Sequence, residues 1–136
     1  MKRTATAHWE GDLKTGKGTL STPSTTLNAT QYSFKTRFED GVGTNPEELL
    51  AAAHAGCFTM AVSSILGQAG YTATSLHTEA IIMLEGLSVT SSHLIIQGVV
   101  PDITPEKFQE IVKNAEENCI ISKALSVSIT SEATLL

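Results

Sequence analysis

Asn45-Pro46-Glu47-Glu48-Leu49-Leu50-Ala51-Ala52-Ala53-His54-Ala55-Gly56-Cys57-Phe58 joins a helix-start signal to the longest apolar run in the chain. Asn45 is a good helix N-cap. Pro46 suits the first helical position, where no N–H is needed, and Glu48 falls three residues after the cap. A central helix over residues 45–69 follows, stopped by Gly70. Residues 49–65 carry no charged side chain and approach the length of a membrane span. Ala, Gly, Ser, Thr and one His fill that run, and two carboxylates stand at its mouth. A helix at the centre of a core is therefore expected, not a membrane segment, with another helix packed against its small side chains.

Working outward toward the N-terminus, residues 4–9, 19–22 and 31–38 read as strands. Gly11-Asp12, Gly16-Lys17-Gly18 and Pro23 mark the turns, so a β-meander over about 1–43 is expected. Alternation in 31–38 sends Tyr32, Phe34 and Phe38 to one face and Arg37 to the other. Beyond the helix, residues 72–100 read as a hairpin broken at Glu85-Gly86. Thr104-Pro105-Glu106 starts a second helix over 104–118, with Phe108, Ile111, Val112 and Ala115 on one face. Residues 125–135 alternate as a final strand. The order gives an α+β fold in a single domain, 1–136.

The chain has 136 residues and a net charge of −5. That charge offers no electrostatic reason to bind nucleic acid or an anionic membrane surface. The N-terminus has basic residues without an apolar run after them, which is not the pattern of a secretory signal. A cytoplasmic location is expected. There the two cysteines are unlike a static disulfide, which leaves inert buried thiols, a metal site or redox chemistry.

Cys57 reads either as a small filler of a helix interior or as a reactive thiol. Reactivity requires the thiolate, and Cys57 lies about three turns into its helix, beyond the reach of the N-terminal dipole. A cation from another element is needed. Only two arginines exist, Arg3 at the terminus and Arg37. Glu47 reads either as a carboxylate favoured near a helix start or as the anchor that orients Arg37. Glu47 and Cys57 are ten residues apart, roughly 15 Å along a straight helix. One arginine meets both only if the helix bends or if the Arg37–Glu47 pair of one subunit faces Cys57 of another. The second arrangement is preferred, and it makes the working unit an obligate homodimer. Cys119, at the end of the second helix, is either an unrelated thiol or a resolving thiol for Cys57. His54 shares a helix face with Cys57, but no second ligand pair at metal-site spacing exists. His8, His77 and His93 read as surface residues, and Trp9 and Tyr32 as core or interface.

Several of these segments closely resemble the OsmC (osmotically inducible protein C) family, which is related to the organic hydroperoxide resistance proteins. They are residues 7–14, Ala-His-Trp-Glu-Gly-Asp-Leu-Lys; Thr36-Arg37-Phe38; Gly43-Thr44-Asn45-Pro46-Glu47-Glu48-Leu49; and Ala52-Ala53-His54-Ala55-Gly56-Cys57-Phe58. The resemblance covers nearly the whole chain. It implies an OsmC-like fold, with antiparallel sheets wrapped around two central helices in an intertwined homodimer that shares its active sites. It implies a thiol peroxidase for organic hydroperoxides, with a role in oxidative and osmotic stress defence. Cys57 is then the peroxidatic cysteine, Cys119 the resolving cysteine, and Arg37 and Glu47 the activating pair. The reductant implied is a dithiol of the lipoyl type. No metal or prosthetic group is called for, because the sulfur itself changes oxidation state. Phe38, Phe58, Met60 and Leu66 are candidates to line an apolar substrate pocket. Relatives commonly carry proline directly after the resolving cysteine; here Ile120 follows. Two rival readings are a redox sensor and a non-catalytic ligand-binding dimer with incidental cysteines.

Overall fold

The computed structural model describes residues Met1–Leu136. Backbone contacts group the chain into two compact units, Met1–Leu49 and Leu50–Leu136. The first holds an antiparallel sheet of β1 (Thr6–Glu10), β2 (Lys17–Ser21) and β3 (Thr30–Tyr32) in that order. This is the expected meander. Trp9 pairs with Gly18, and Gly18 with Tyr32, so the three lie in one row across the sheet. A Cβ at Gly18 would come within 2.4 Å of the Tyr32 ring and 2.7 Å of Trp9. Glycine there is what lets the two rings reach each other, with centroids 5.5 Å apart.

The sequence reading of one strand over 31–38 is corrected. The strand ends at Tyr32 and the chain turns into α1 (Phe34–Phe38). Ser33 and Thr36 form a reciprocal capping box: the Ser33 side chain accepts from the Thr36 N–H, and the Ser33 N–H donates to Thr36 Oγ1. Phe34 and Phe38, four apart, then stack on one side of the turn with centroids 5.0 Å apart. Arg37 does not point away from the aromatic face, as alternation required. Its guanidinium carbon lies 5.3 Å from the centre of the Phe38 ring.

The long helix α2 (Pro46–Gln68) starts where the cap-and-proline signal put it. The Asn45 side chain accepts from the Glu48 N–H at 2.7 Å. In the second unit α2 buries one stripe, His54, Phe58, Val62 and Leu66, at successive four-residue steps. By length and composition the helix could also cross a membrane, a test that the core helix of a soluble protein passes as well.

β4 (Ser75–Glu85) and β5 (Ser88–Val99) form the expected hairpin. α3 (Pro105–Asn118) and a short α4 (Ile120–Ala124) follow. β6 (Ser128–Leu135) then pairs with β5 in parallel. Two expectations are corrected here. The final strand starts at Ser128 and not at 125: Leu125 is the C-cap of α4, and pairing with β5 begins only at Ser128. The second sheet is mixed, because a chain that returns through helices comes back in the same direction, unlike a hairpin. The α2 stripe packs with Leu94, Ile96 and Val100 of the β5 segment and with Phe108, Ile111, Val112 and Ala115 of α3. Gly98 allows the close approach of α3, since a Cβ there would stand 2.7 Å from the Phe108 ring. Phe58 and Leu66, two of the candidate pocket residues, are fully buried in this core. Truncating a buried phenylalanine to alanine costs about 3–5 kcal/mol, so core packing alone accounts for Phe58.

Met60 and the small residues Ala52, Ala53, Gly56, Ser63, Ser64 and Gly67 lie on exposed parts of α2. A Cβ at Gly56 or Gly67 would meet nothing within 4 Å. Nothing within one chain therefore explains glycine at either position.

Candidate functional site

In the first unit, Arg37 and Glu47 are in direct contact. Arg37 Nε donates to Glu47 Oε1 at 2.9 Å and Oε2 at 3.3 Å, and Nη2 donates to Oε1 at 2.7 Å. This is a two-point fork, the strong geometry for an arginine and a carboxylate. Asn45 sets it up. While its carbonyl side-chain oxygen caps α2, its Nδ2 donates to the Thr36 carbonyl at 2.9 Å. One side chain thus holds the end of α1 against the start of α2, and neighbouring residues, Arg37 and Glu47, face each other. Glu47 is 14% exposed and Arg37 44%. Exposed ion pairs contribute about 0–1 kcal/mol, so this one is better suited to fixing a direction than to holding the fold. The Nη1 end of Arg37 makes no hydrogen bond to the protein. It remains free to meet an anion or a polarised oxygen.

Beside this pair is a cavity of about 280 Å³ lined by Trp9, Leu13, Tyr32, Ser33, Phe34, Phe38, Pro46 and Arg37. Its wall is mostly aromatic and aliphatic, with Ser33 and the Arg37 cation as its polar groups, which fits a small ligand with an apolar body and a polar end. Phe38, one of the candidate pocket residues, lines this cavity from a helical turn and not from the strand that alternation required. Trp9 and Tyr32 serve the cavity as well as their sheet, a role the sequence reading did not assign them. Their signal was the small Gly18 that pairs with both.

In the second unit, Cys57 and Cys119 line one groove of about 590 Å³, together with Ala53, Met60, Ala61, Ser64, Asn118, Ile120 and Ile121. Both thiols are free. Cys57 is half-buried on α2, whereas Cys119 is only 2% exposed. Cys119 ends α3 and begins α4. Its N–H donates to the Ala115 carbonyl at 2.9 Å, and its sulfur accepts from the Ser122 N–H at 3.3 Å as the cap of α4. Ile120 occupies the first position of α4, where proline is favoured but not required, because the N–H there lacks a helical partner. The break at Cys119 therefore forms without proline.

His54 is fully buried, and it is not paired with Cys57. Its Nδ1 is 2.6 Å from Ser92 Oγ and its Nε2 2.8 Å from Ser122 Oγ. No group of three or more metal-ligating side chains is present. Desolvation holds the imidazole below its ordinary value of 6.5. The neutral form is the one that fits, so its stabilising effect is complete above pH 6.5. Below it the unfolded chain takes up a proton that the folded chain resists, and stability falls. A melting temperature that declines between pH 7 and pH 5 is expected, with a shallower decline in His54→Gln, as read by differential scanning fluorimetry. An equally steep decline in the variant would assign the acid sensitivity elsewhere. Of the other histidines, His8 and His77 are exposed, and His93 meets Thr130 at 2.6 Å.

Residues 38–133 match the sequence model of the family described as OsmC-like protein. The chain is 47% identical over 133 residues to the protein named Peroxiredoxin OsmC of Escherichia coli (strain K12), covering 95% of this chain and 93% of that one. Among solved structures, an OsmC-like protein of unknown function from Vibrio cholerae superposes with a TM-score of 0.76 at 18% identity, over 98% of this chain and 99% of that one. The organic hydroperoxide resistance protein OhrB of Bacillus subtilis gives 0.72 at 24% identity, over 98% of each chain. These two likenesses bear on the fold.

Proposed function

Because this chain belongs to the OsmC-like family, we propose that it is a thiol-dependent peroxidase that reduces organic hydroperoxides to alcohols. The observation that carries this reading is the groove that Cys57 and Cys119 line together. A reactive sulfur and a second sulfur beside it are what a self-resolving thiol peroxidase requires.

In the proposed cycle, the Cys57 thiolate attacks the distal oxygen of the peroxide. The O–O bond breaks, Cys57 becomes a sulfenic acid, and the alkoxide takes up the proton that the thiol gave up on ionising and leaves as the alcohol. Arg37, aimed by Glu47, holds the thiolate and the departing oxygen through its free Nη1 end. Cys119 then condenses with the sulfenic acid, giving a Cys57–Cys119 disulfide and water. A lipoyl-type dithiol restores both thiols by exchange. The apolar wall around Arg37 supports an alkyl or aryl hydroperoxide as substrate.

Ten residues of continuous helix separate Glu47 from Cys57, roughly 15 Å by helical rise. The pair from one subunit is therefore proposed to serve Cys57 of the other, in a homodimer with shared sites. The uncovered face of α2, with Met60 75% exposed and two unexplained glycines, supports a second copy packed there. A single domain, a cytoplasmic setting and a part in defence against oxidative stress belong to the same reading.

Turnover is the test. With tert-butyl hydroperoxide and dihydrolipoamide in excess, many peroxides are expected to be consumed per chain. A redox sensor would consume one equivalent and stop, and a non-catalytic dimer would consume none.

A further inference from the structure

The buried hydrogen bonds of His54 lead to Cys119 and not to Cys57. Ser122 Oγ, 2.8 Å from His54 Nε2, is also 3.3 Å from Cys119 Sγ. Ser92 Oγ holds Nδ1 from the other side at 2.6 Å. The four residues come from β5, α2, α4 and the junction of α3 with α4. Ser92, His54 and Cys119 are no more than 2% exposed, and Ser122 is 6% exposed. No charged side chain bonds the imidazole, so the titratable groups along this line are His54 and Cys119. A structural role would be met by any pair of hydrogen bonds. This line is more specific, because the Ser122 hydroxyl lies between the imidazole and the sulfur, within reach of both, and the line ends on a thiol.

We propose that Ser92, His54 and Ser122 form a proton relay that activates the resolving thiol, with Ser122 taking the Cys119 proton and His54 and Ser92 acting through it. The inference rests on the peroxidase reading above. It follows the general arrangement of a nucleophile, a base and a third group that orients the base. In one state of the relay the Cys119 S–H donates to Ser122 Oγ, the Ser122 O–H donates to His54 Nε2, and Nδ1–H donates to Ser92 Oγ. When Cys119 attacks, its proton moves to Ser122 Oγ and the serine proton moves to Nε2. The freed electron pair on Cys119 forms the S–S bond with Cys57, and the S–O bond of the sulfenic acid breaks. The hydroxide takes a proton and leaves as water, and the imidazolium gives its proton to solvent. The sum is one thiol and one sulfenic acid converted to one disulfide and one water, with no outside oxidant. Once the proton has moved, the Ser122 N–H and O–H both donate to the sulfur, the arrangement that suits a thiolate. The desolvation that keeps His54 neutral leaves Nε2 free to accept.

The test separates the two chemical steps. Rapid quenching after one equivalent of tert-butyl hydroperoxide, with a dicarbonyl trap for the sulfenic acid and mass spectrometry for the disulfide, gives both rates. In Ser122→Ala the ratio of disulfide formation to sulfenate formation at pH 7 is expected to fall at least tenfold. The deficit is expected to shrink toward pH 9, where hydroxide can take the thiol proton directly. Ser122→Thr is expected to restore most of the ratio, and His54→Gln to lose it as Ser122→Ala does. A purely structural role gives a deficit independent of pH. That result, or an unchanged ratio in Ser122→Ala, would overturn the relay. A wild-type chain that turns over peroxide without forming a disulfide would instead overturn the resolving step itself, and the relay with it.

Discussion

Cys57→Ser is expected to stop the consumption of tert-butyl hydroperoxide, with a fall in rate of at least about a thousandfold, as for loss of a nucleophile in other enzymes. The substitution keeps the shape of a half-buried position and removes only the sulfur, so melting temperature should change little. Cys119 cannot take over, because it is 2% exposed and held as the cap of α4. In the wild type, one equivalent of peroxide is expected to remove both free thiols. In Cys57→Ser, the thiol of Cys119 should survive the same treatment. A thiol count and a peroxide assay on the same sample read both outcomes. Undiminished consumption in the variant would place the chemistry elsewhere.

Arg37→Ala is the second large effect. If the guanidinium stabilises the departing oxygen, its loss should slow sulfenate formation by about 10²–10³, the usual scale for one such donor. The fold should barely notice, because an ion pair with Arg37 44% exposed contributes about 0–1 kcal/mol. Arg37→Lys should recover little, since an ammonium cannot make the fork to Glu47 and still present a second edge. Mixing Arg37→Ala chains with Cys57→Ser chains adds a sharper result. If the chain pairs as proposed and the arginine of one chain serves the cysteine of the other, each variant alone is expected to be close to inactive, while a mixed dimer has one complete site. Activity that appears on co-expression is expected. Its absence, with mixed dimers isolated, would return both groups to one chain.

Much of this was legible in the sequence, for local reasons. The start of α2 is written in Asn45, Pro46 and Glu48, and the helix begins there. The scarcity of arginine pointed to Arg37, and Glu47 was its natural anchor; the two are joined. The short α1 was not legible. Phe34 and Phe38 are both even-numbered and four apart, so strand alternation and one helical turn place them equally well. The deciding interaction is the capping box of Ser33 and Thr36, two small polar residues that also suit a turn. The parallel pairing of β6 was hidden because local pattern carries no direction; the intervening helices decide it. Spacing along the helix relates His54 only to Cys57. Its true partners lie 38 and 68 positions away. Even so, Ser92 stood in step with the buried Leu94 and Ile96, and Ser122 fell three residues after Cys119, the spacing of a helix cap.

The central claim is that one peroxide oxidises Cys57 and that Cys119 resolves it. Its most direct test is peptide mapping under non-reducing conditions after one equivalent of tert-butyl hydroperoxide. A single cross-linked species joining the Cys57 peptide to the Cys119 peptide is expected, lighter by two hydrogen atoms than the separate thiols. Cys57 over-oxidised beside an untouched Cys119 thiol, or Cys57 linked to its counterpart in a second chain, would contradict it.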